Sequence, residues 1–416
     1  MARYALAMRT SISASAALAL ALGGCGGAAQ GGASPVAPGG GASCGPVRLT
    51  EYDAGASGWC EIDRTLPVLP ASVQAGLTLA IAQPWDGGSY GGAAGEACGE
   101  CWEVATLSDL RTVMVTDLCP VEGNPLCAGD FFHFDLAAEA AAALGMSGLE
   151  AASTRRVPCP VSGDAYLEIL DRNQWGYLRF AVVNHRIPVR QVEYRAAGDT
   201  AYQPAARSGG AWAIADGGTT FASGGPGGVF RITSAQGEVL EMPNVLGYGV
   251  ASGSTFDLGG QFTDQSPPVG PACTFEPPAD VYLDGFGGIP DVRWTMDPWS
   301  AAVGASEVTE GCLSDSCLQV TGMSPWNGFD IYYVQPFSPS TFTTLSLKVK
   351  ALSGGGAVDV WVGSCTHTTA PVTGSWSSVI VDLAGTCAGV SSIQAVQVQA
   401  TGGSGMTLLL DDVLFQ

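Results

Sequence analysis

The chain has 416 residues, with 17 Lys and Arg, 38 Asp and Glu, and a formal net charge of −21. Like charges repel, so this balance excludes nucleic acid, anionic membranes and polyanionic wall polymers as partners, whereas a neutral polysaccharide is compatible with it. The length fits two or three domains. The 58 Gly, the 25 Pro and the scarcity of long helical patterns predict mostly β structure.

The N-terminus has the pattern of a bacterial lipoprotein signal peptide in residues 1–25. Arg3 and Arg9 form its basic flank, and the apolar stretch at 11–22 is too short to span a bilayer. Small residues then precede Cys25. We therefore expect Cys25 to carry a lipid that holds the exported protein at the bacterial cell surface or outer membrane. Ordinary secretion after cleavage nearby is the alternative.

Two segments poor in bulky side chains divide the exported chain. Residues 26–43 read as a flexible Gly/Ala/Pro linker, and residues 266–278 as a semi-rigid Pro-rich linker, because proline cannot donate to a backbone ladder. Three β-rich domains are predicted around them, at 44–163, 164–265 and 279–416.

Twelve cysteines remain after Cys25, and an even number in an exported protein indicates disulfides. Cys44 and Cys273 are each the one cysteine left over in their half of the chain when the others are paired. They therefore either pair with each other or stay free. Bridges between sequence neighbours are expected at Cys119–Cys127, Cys312–Cys317 and Cys365–Cys387. The cysteines predicted to form disulfides are Cys60, Cys98, Cys101, Cys119, Cys127, Cys159, Cys312, Cys317, Cys365 and Cys387.

Metal and cofactor chemistry finds little support in the sequence. Cys98 and Cys101 have zinc-ribbon spacing, but there is no second C-x-x-C pair and the three histidines are far apart in the sequence. We therefore predict no metal centre and no cofactor. The aspartates of the last domain are candidate ligands for a structural calcium ion, although no loop there has EF-hand spacing.

Two short segments of the first domain combine a carboxylate with apolar or aromatic neighbours. Asp117 lies in residues 115–120 (VTDLCP), and Asp135 lies in residues 131–136 (FFHFDL). Apolar surroundings raise a carboxyl pKa towards the range useful for proton transfer, so both are candidates for catalysis or substrate contact. The alternatives are structural: Asp135 as the N-cap of an alanine-rich helix at 136–144, and Asp117 as a turn former.

These segments resemble motifs of the first domain of expansins, and the likeness covers roughly residues 44–265. It implies a six-stranded double-psi β-barrel for the first domain. The opening strand, residues 47–53 (VRLTEYD), is similar to the start of microbial expansins, which implies that Thr50 faces a cleft. Tyr90, in residues 86–92 (DGGSYGG), matches an expansin loop in the wall of that cleft.

The same resemblance assigns roles to the acidic residues. Asp135 matches the general acid of hydrolytic relatives with this barrel. Asp53 lies in the opening strand, which supplies the second catalytic carboxylate in endoglucanases of related fold. Hydrolysis needs two carboxyls roughly 5–9.5 Å apart, so Asp53 decides between a hydrolase and a non-hydrolase.

The second domain continues the resemblance at residues 182–189 (VVNHRIPV) and 227–237 (GGVFRITSAQG). It implies an Ig-like β-sandwich that presents a row of aromatics to carbohydrate. Aromatic faces suit sugars because the C–H faces of pyranose rings are apolar. Trp175, Tyr177 and Trp212 are the candidates for this row, with the alternative that one of them, Trp212 first of all, fills the core.

The last domain closes with residues 407–415 (TLLLDDVLF) and resembles the β jelly-roll modules that are appended to bacterial glycan-active proteins. Four of its aromatics either stack on a sugar or fill the core, since β-sandwich cores need aromatics too. These four are Trp294, Trp299, Trp326 and Tyr332.

The resemblance implies a protein that binds insoluble, cellulose-type β-glucan and loosens contacts between chains without cutting them. We also expect the protein to be a monomer. Asp135 and Asp117 would hold the glucan while the aromatics anchor it. One alternative is a glycan-cleaving enzyme, either an endoglucanase with Asp135 as acid and Asp53 as base or a lytic transglycosylase. Another is a non-catalytic surface adhesin that binds carbohydrate through its last domain.

Overall fold

A computed structural model describes most of the chain from residue 43 onwards. The predicted signal peptide, Cys25 and nearly all of the first linker lie outside the described residues. Among the described helices, none has the length and apolar character that crossing a membrane requires. The described residues are 43–416 without 130, 147, 216–218, 265–269, 276–277, 284, 286–287, 290–291, 386 and 388–389.

The first domain is a closed barrel of six strands in the order β1-β5-β2-β4-β3-β6. β1 pairs in parallel with β5, and β2 with β4, while the other neighbours are antiparallel. Closure leaves no strand edge unpaired, and the predicted six-stranded barrel is confirmed. The elements are β1 (Gly45–Tyr52), α1 (Ala71–Gln74), β2 (Thr78–Ala82), β3 (Cys101–Ala105), β4 (Leu110–Cys119), β5 (His133–Ala137), α2 (Ala138–Ala143) and β6 (Glu150–Val157).

An aromatic cluster fills the barrel. Trp102, Phe132 and Phe134 are buried, and their ring centroids lie between 4.8 and 5.5 Å apart. Phe134 meets both other rings edge to face, and such pairs contribute about 0.5–1.5 kcal/mol each beyond the burial of their area. Because successive side chains of a strand point to opposite faces, Asp135 points away from this cluster although it follows Phe134 in the sequence.

The alanine-rich helix begins later than the sequence predicts. α2 starts at Ala138, its N-cap is Ala137, and no side chain caps it. Asp135 lies within β5. The alternative interpretation of Asp135 as a helix cap is therefore wrong, which leaves its carboxyl available for other contacts.

The second domain packs a four-stranded sheet, β10-β9-β13-β14, with a five-stranded sheet, β11-β12-β8-β7-β15. Phe180, Phe221 and Phe230 are fully buried in its core. The strands are β7 (Tyr166–Arg172), β8 (Leu178–Val183), β9 (Val189–Ala196), β10 (Gln203–Pro204), β11 (Ala206–Ser208), β12 (Ala211–Ile214), β13 (Gly228–Ser234), β14 (Val239–Glu241) and β15 (Thr255–Asp257).

The alternation of side chains along β8 joins this sandwich to the barrel. Phe180 and Val182 belong to the sandwich core, whereas Ala181 and Val183 belong to the core of the barrel. A Cβ at Gly99 would lie 2.4 Å from Cε1 of His185, so only glycine permits the close approach there. The two domains therefore share one buried interface.

The third domain packs two large sheets, β20-β21-β28-β23-β26 and β19-β22-β27-β24-β25, with β16 added to β28. A small two-stranded sheet, β17-β18, also belongs to it. Trp294 is fully buried between the two large sheets, so it is a core residue and no candidate for sugar stacking. The strands are β16 (Asp280–Tyr282), β17 (Gly288–Ile289), β18 (Val292–Arg293), β19 (Thr295–Pro298), β20 (Gly304–Val308), β21 (Cys317–Met323), β22 (Gly328–Phe337), β23 (Thr344–Ser353), β24 (Gly356–Val362), β25 (Thr366–Val372), β26 (Ser377–Asp382), β27 (Ile393–Ala400) and β28 (Met406–Phe415).

Six disulfides pair all twelve cysteines after Cys25, including the three predicted local bridges. Cys44 pairs with Cys273 across 229 residues of sequence, which resolves the choice that the sequence leaves open. The amide of Cys273 also donates to Oε1 of Glu103 at 2.7 Å, so this end of the predicted Pro-rich linker lies against the barrel. The other two bridges are Cys60–Cys98 and Cys101–Cys159.

The long-range bridge should stabilise the fold more than a local one does. The double variant Cys44→Ser/Cys273→Ser should lose about 2–4 kcal/mol of unfolding free energy, because the bridge closes a very long loop in the unfolded chain. Urea unfolding checks this value. The matched control is Cys119→Ser/Cys127→Ser, whose eight-residue separation predicts a smaller loss. Equal losses in the two variants would contradict the prediction.

Candidate functional site

Strand pairing aligns four residues on the outer face of the barrel. Ala80 of β2 is the register partner both of Asp135 in β5 and of Asp117 in β4, and Asp135 is in turn the partner of Thr50 in β1. Register partners point to the same face, and neighbouring strands lie 4.7–4.9 Å apart, so the Cα atoms of the two aspartates are roughly 9–10 Å apart. Only the methyl group of Ala80 stands between them. We call these four residues the barrel row.

Asp135 is the most deeply placed carboxyl of the barrel row, with 9 % of its surface exposed. Burial raises its pKa, the nearby hydroxyl of Thr50 lowers it, and the negative charges of Asp117 and Glu51 raise it further. The hydroxyl donates to Oδ1 of Asp135 at 2.7 Å. The expected rise is therefore present, but its cause is burial on the barrel surface, because the adjacent phenyl rings point into the core.

A chain of hydrogen bonds fixes the Thr50 hydroxyl. Nε of Arg48 donates to Nδ1 of His133 at 3.1 Å, and Nε2 of His133 lies 2.9 Å from Oγ1 of Thr50. Arginine can only donate, so Nδ1 is the acceptor and the ring proton resides on Nε2. Nε2–H therefore donates to Thr50, which directs the threonine proton to Asp135. Arg48 and His133 are positioning residues that sequence reasoning missed.

Asp117 has a structural role as well as a place in the barrel row. Its Oδ1 accepts hydrogen bonds from the amides of Trp59 at 2.6 Å and Leu118 at 2.8 Å, and its Oδ2 accepts one from the Tyr52 hydroxyl at 3.3 Å. A Cβ at Gly58 would lie 2.2 Å from Cγ of Asp117, so the loop packs directly on the carboxylate. Both oxygens are thus engaged in holding the walls of the site.

Asp53 lies outside the barrel row. It follows the last residue of β1, three positions beyond Thr50, and its side chain is exposed to solvent. A carboxyl at the exposed end of the strand is not buried as that of Asp135 is. Its predicted role as a second catalytic carboxylate stays a prediction.

Tyr90 lies between the barrel and the sandwich. Its hydroxyl accepts a hydrogen bond from Nε2 of Gln236 at 2.8 Å, and the guanidinium of Arg156 lies 5.3 Å from its ring centroid. Arg156 also forms a buried ion pair with Asp264 at 2.8 Å. Burial raises the pKa of the Tyr90 phenol. Tyr90 therefore helps to hold the two domains together, and its contact with a glycan stays a prediction.

Of the three aromatics predicted to form the platform, only two reach the surface. Trp175 is 73 % exposed and Tyr177 is half-buried, and Oδ1 of Asn173 accepts the amide hydrogens of both, at 3.0 and 3.1 Å. Trp212 is only 4 % exposed, because its register partner Phe180 faces the core. Its assignment to carbohydrate binding was wrong, and it is a core residue.

Sequence reasoning missed a further exposed aromatic of the second domain. Tyr248 is 39 % exposed, and the guanidinium of Arg172 lies 4.8 Å from its ring centroid. Arg172 donates to the carbonyls of Gly247 and Val250, which ties the loop of Tyr248 to the end of β7. No spacing in the sequence signals this contact, because 75 residues separate Arg172 from Gly247.

The geometry offers little to a metal ion. Among the described residues, the ligand atoms of Cys119, Cys127 and His133 come within 4.8 Å of one another. The two sulfurs are joined in a disulfide, so they are not the thiolates that bind metals.

Comparison with known proteins identifies the barrel. Residues 47–162 match the family model described as EXPB1-like domain 1. The barrel is an expansin-like domain. Expansin-like protein 2 of Dictyostelium discoideum is 25 % identical over 394 residues, which are 89 % of this chain and 91 % of that protein. The predicted likeness to expansins is confirmed.

Other matches cover less of this chain. Expansin-like protein 5 of Dictyostelium discoideum is 34 % identical over 114 residues, so the chain spans about half of that protein. The crystal structure of the Clavibacter michiganensis expansin is similar at 20 % identity, with a TM-score of 0.41, over 53 % of this chain and 98 % of that one.

The hydrogen bond from Thr50 predicts a measurable change in the acidity of Asp135. Thr50→Val removes the donor that stabilises the ionised carboxylate, so the Asp135 pKa should rise further. Carboxyl ¹³C chemical shifts followed through a pH titration measure it. Thr50→Ser keeps the hydroxyl and should titrate like the wild type. Identical titration of all three proteins would show that this bond does not control the pKa.

Proposed function

We propose that this expansin-like protein binds a neutral, cellulose-type β-glucan across the barrel row and the exposed aromatics of the second domain. Binding weakens the contacts between neighbouring glucan chains, and no covalent bond is cut. The net charge of −21 supports a neutral polymer as the target, because a polyanion would be repelled.

The observation that carries this proposal is the unequal state of the two aspartates in the barrel row. Asp135 is buried with a raised pKa, whereas both oxygens of Asp117 accept hydrogen bonds from the protein itself. Hydrolysis of a glycoside requires an acid and a second carboxylate that acts on water or on the sugar. A carboxylate bound by three protein donors is poorly suited to that second role.

Asp135 can nevertheless grip a glucan chain. A carboxyl with a raised pKa can donate a hydrogen bond to a sugar hydroxyl when protonated and accept one when ionised. The chain from Arg48 through His133 and Thr50 keeps the carboxyl of Asp135 in one orientation, with Oδ2 3.7 Å from Sγ of Cys119. Pre-organisation of this kind lowers the entropic cost of binding.

The second domain extends the binding surface. Tyr177 directly precedes β8. It lies four and six positions before Ala181 and Val183, which pack on the barrel, so it shares their face of the strand. The face that carries Tyr177 therefore leads directly to the barrel, and one extended polymer chain can contact both domains. Stacking on Trp175 and Tyr177 supplies apolar contact, while the barrel row supplies polar contact.

We further infer that the protein acts outside the cytoplasm as a monomer. Six disulfides fit an oxidising compartment. Residues 1–25 provide the export signal, and the lipid on Cys25 anchors the chain at the bacterial surface. Metabolic labelling with a fatty acid, in the wild type and in Cys25→Ser, tests the anchor directly.

The aromatic platform should carry much of the affinity for insoluble glucan. The double variant Trp175→Ala/Tyr177→Ala should bind cellulose at least roughly tenfold more weakly, because each stacked ring contributes about 1 kcal/mol. Binding isotherms on insoluble cellulose measure the change. The control is Tyr202→Ala, since that ring lies on the other sheet between Arg231 and Arg195. Unchanged binding of the double variant would place the platform elsewhere.

Asp135 should matter more than any other carboxyl for loosening. Asp135→Asn keeps the size of the side chain and removes its titrating proton, so extension of wall strips under load should fall sharply. Asp53→Asn should extend walls like the wild type. The wild type should release no reducing ends from cellulose or from peptidoglycan. Release that both variants abolish would instead make the protein an endoglucanase.

Measuring the unfolding of Asp135→Asn shows whether a fall in wall extension comes from the lost carboxyl or from a lost fold. The raised pKa means that folding favours the protonated Asp135, so its stabilising effect is complete at acid pH and is lost as the pH rises through the folded pKa. At a pH above the range in which the carboxyl titrates in the unfolded chain, its raised pKa in the folded state makes it oppose folding. Asp135→Asn should therefore unfold in urea no earlier than the wild type at pH 7, and an earlier transition would contradict the assigned cause of the pKa shift.

A further inference from the structure

One face of the third domain presents aromatic and polar side chains to solvent. Along β22, Phe329, Ile331 and Tyr333 are fully buried. Since side chains alternate along a strand, Asp330 and Tyr332 point outward, and Tyr332 is 38 % exposed. The outward face of the sheet β19-β22-β27-β24-β25 is therefore separate from the core that Trp294 fills.

Strand pairing aligns one outward residue from each strand of this sheet. Asp297 pairs with Asp330, Asp330 with Gln397, Gln397 with Trp361, and Trp361 with His367. We call these five residues the third-domain row. At 4.7–4.9 Å per strand, the row extends over roughly 19 Å, and Asp330 and Trp361 are roughly 9–10 Å apart.

Hydrogen bonds and ring contacts hold the side chains of this face in place. Oδ1 of Asp330 accepts hydrogen bonds from Nε1 of Trp299 at 2.8 Å and from Nε2 of Gln397 at 3.0 Å. The rings of Trp361 and His367 stack with centroids 4.1 Å apart and planes 24° apart. The indole of Trp299 is still 40 % exposed. An aromatic surface thus borders each side of a fixed amide and carboxylate.

The charges of this face select the kind of ligand. The described outward residues of the sheet include no Lys or Arg, whereas Asp297, Asp330 and Asp359 add negative charge. The two lysines of the chain, Lys348 and Lys350, lie in β23 of the opposite sheet. Anionic polymers are repelled, while neutral sugar hydroxyls can donate to the carboxylates and bond to the amides.

We propose that the third-domain row, together with Trp299 and Tyr332, is a second glycan-binding site that takes one chain of a neutral polysaccharide. The sugar rings stack on the indoles of Trp299 and Trp361, and their hydroxyls bond to Asp330 and Gln397 between them. Because the polymer class is that of the proposed function, this inference rests on that function. Two sites on one chain raise the avidity for insoluble polymer without any new contact.

The test is affinity electrophoresis of the full chain in gels that contain neutral hydroxyethyl cellulose or anionic carboxymethyl cellulose. Trp299→Ala/Trp361→Ala should weaken the retardation by hydroxyethyl cellulose roughly tenfold, because two stacking contacts are lost. Gln397→Ala, which keeps both rings, should weaken it several-fold. The matched control is Trp376→Ala, since this indole lies beside Lys350 of the opposite sheet. All replaced rings lie outside the core, so the variants should keep the wild-type unfolding transition.

The outcomes separate this site from that of the first two domains. Residual binding by Trp175→Ala/Tyr177→Ala that disappears when Trp299→Ala/Trp361→Ala is added supports the second site. If the gel retards Trp299→Ala/Trp361→Ala as much as the wild type, and only Trp175→Ala/Tyr177→Ala loses retardation, the second site is overturned and the proposed function stays intact. If only Trp299→Ala/Trp361→Ala loses retardation, the second site is supported, and Trp175 and Tyr177 have no part in the proposed function. Equal retardation of the wild type by carboxymethyl cellulose overturns the selection of neutral polymers.

Discussion

The double pairing of Ala80, with Asp135 on one side and Asp117 on the other, is the constraint on which the candidate site depends. A slip of one residue in β5 would exchange Phe134 and Asp135, which would expose an aromatic ring and bury a charge in the core. The same register that fills the barrel with Trp102, Phe132 and Phe134 therefore also keeps Asp135 on the outer face of the barrel. Core packing and site geometry are two results of one alignment, so selection for stability also maintains the site.

In the other two domains as well, the alternation of side chains along one strand lets that strand contribute to two different surfaces. In β8 one set of side chains builds the sandwich and the other set joins the barrel, so neither domain can shift without disturbing a core. In β22 the same alternation separates a core of Phe329, Ile331 and Tyr333 from an outward polar and aromatic face. The described part of the chain thus builds rigid surfaces with short helices only, since each strand serves a core and a surface at once.

The sequence predicts the barrel, the sandwich layers and the local disulfides, because these depend on local patterns or on motif likeness, and the role of Asp135 stays a prediction. It could not predict contacts between distant segments. Arg48 and His133 are 85 residues apart in the sequence. Their hydrogen bond places the ring proton of His133 on Nε2, and no sequence motif indicates this contact. Burial of Trp212 and Trp294, against exposure of Trp175 and Trp299, depends on which strand lies opposite. The phenyl rings beside Asp135 misled the interpretation of its pKa, since sequence neighbours in a strand face opposite sides.

The Cys44–Cys273 bridge has a mechanical consequence. Residue 44 is where the N-terminal linker meets β1, and residue 273 is where the chain leaves the first two domains for the third. A covalent bond between these points carries any tension applied between the linker and the third domain. The force passes from Cys44 to Cys273 through this bond and bypasses the chain between them, a sequence separation of 229 residues. A molecule held at its N-terminus and pulled through its third domain can therefore bear load while its first two domains keep their shape.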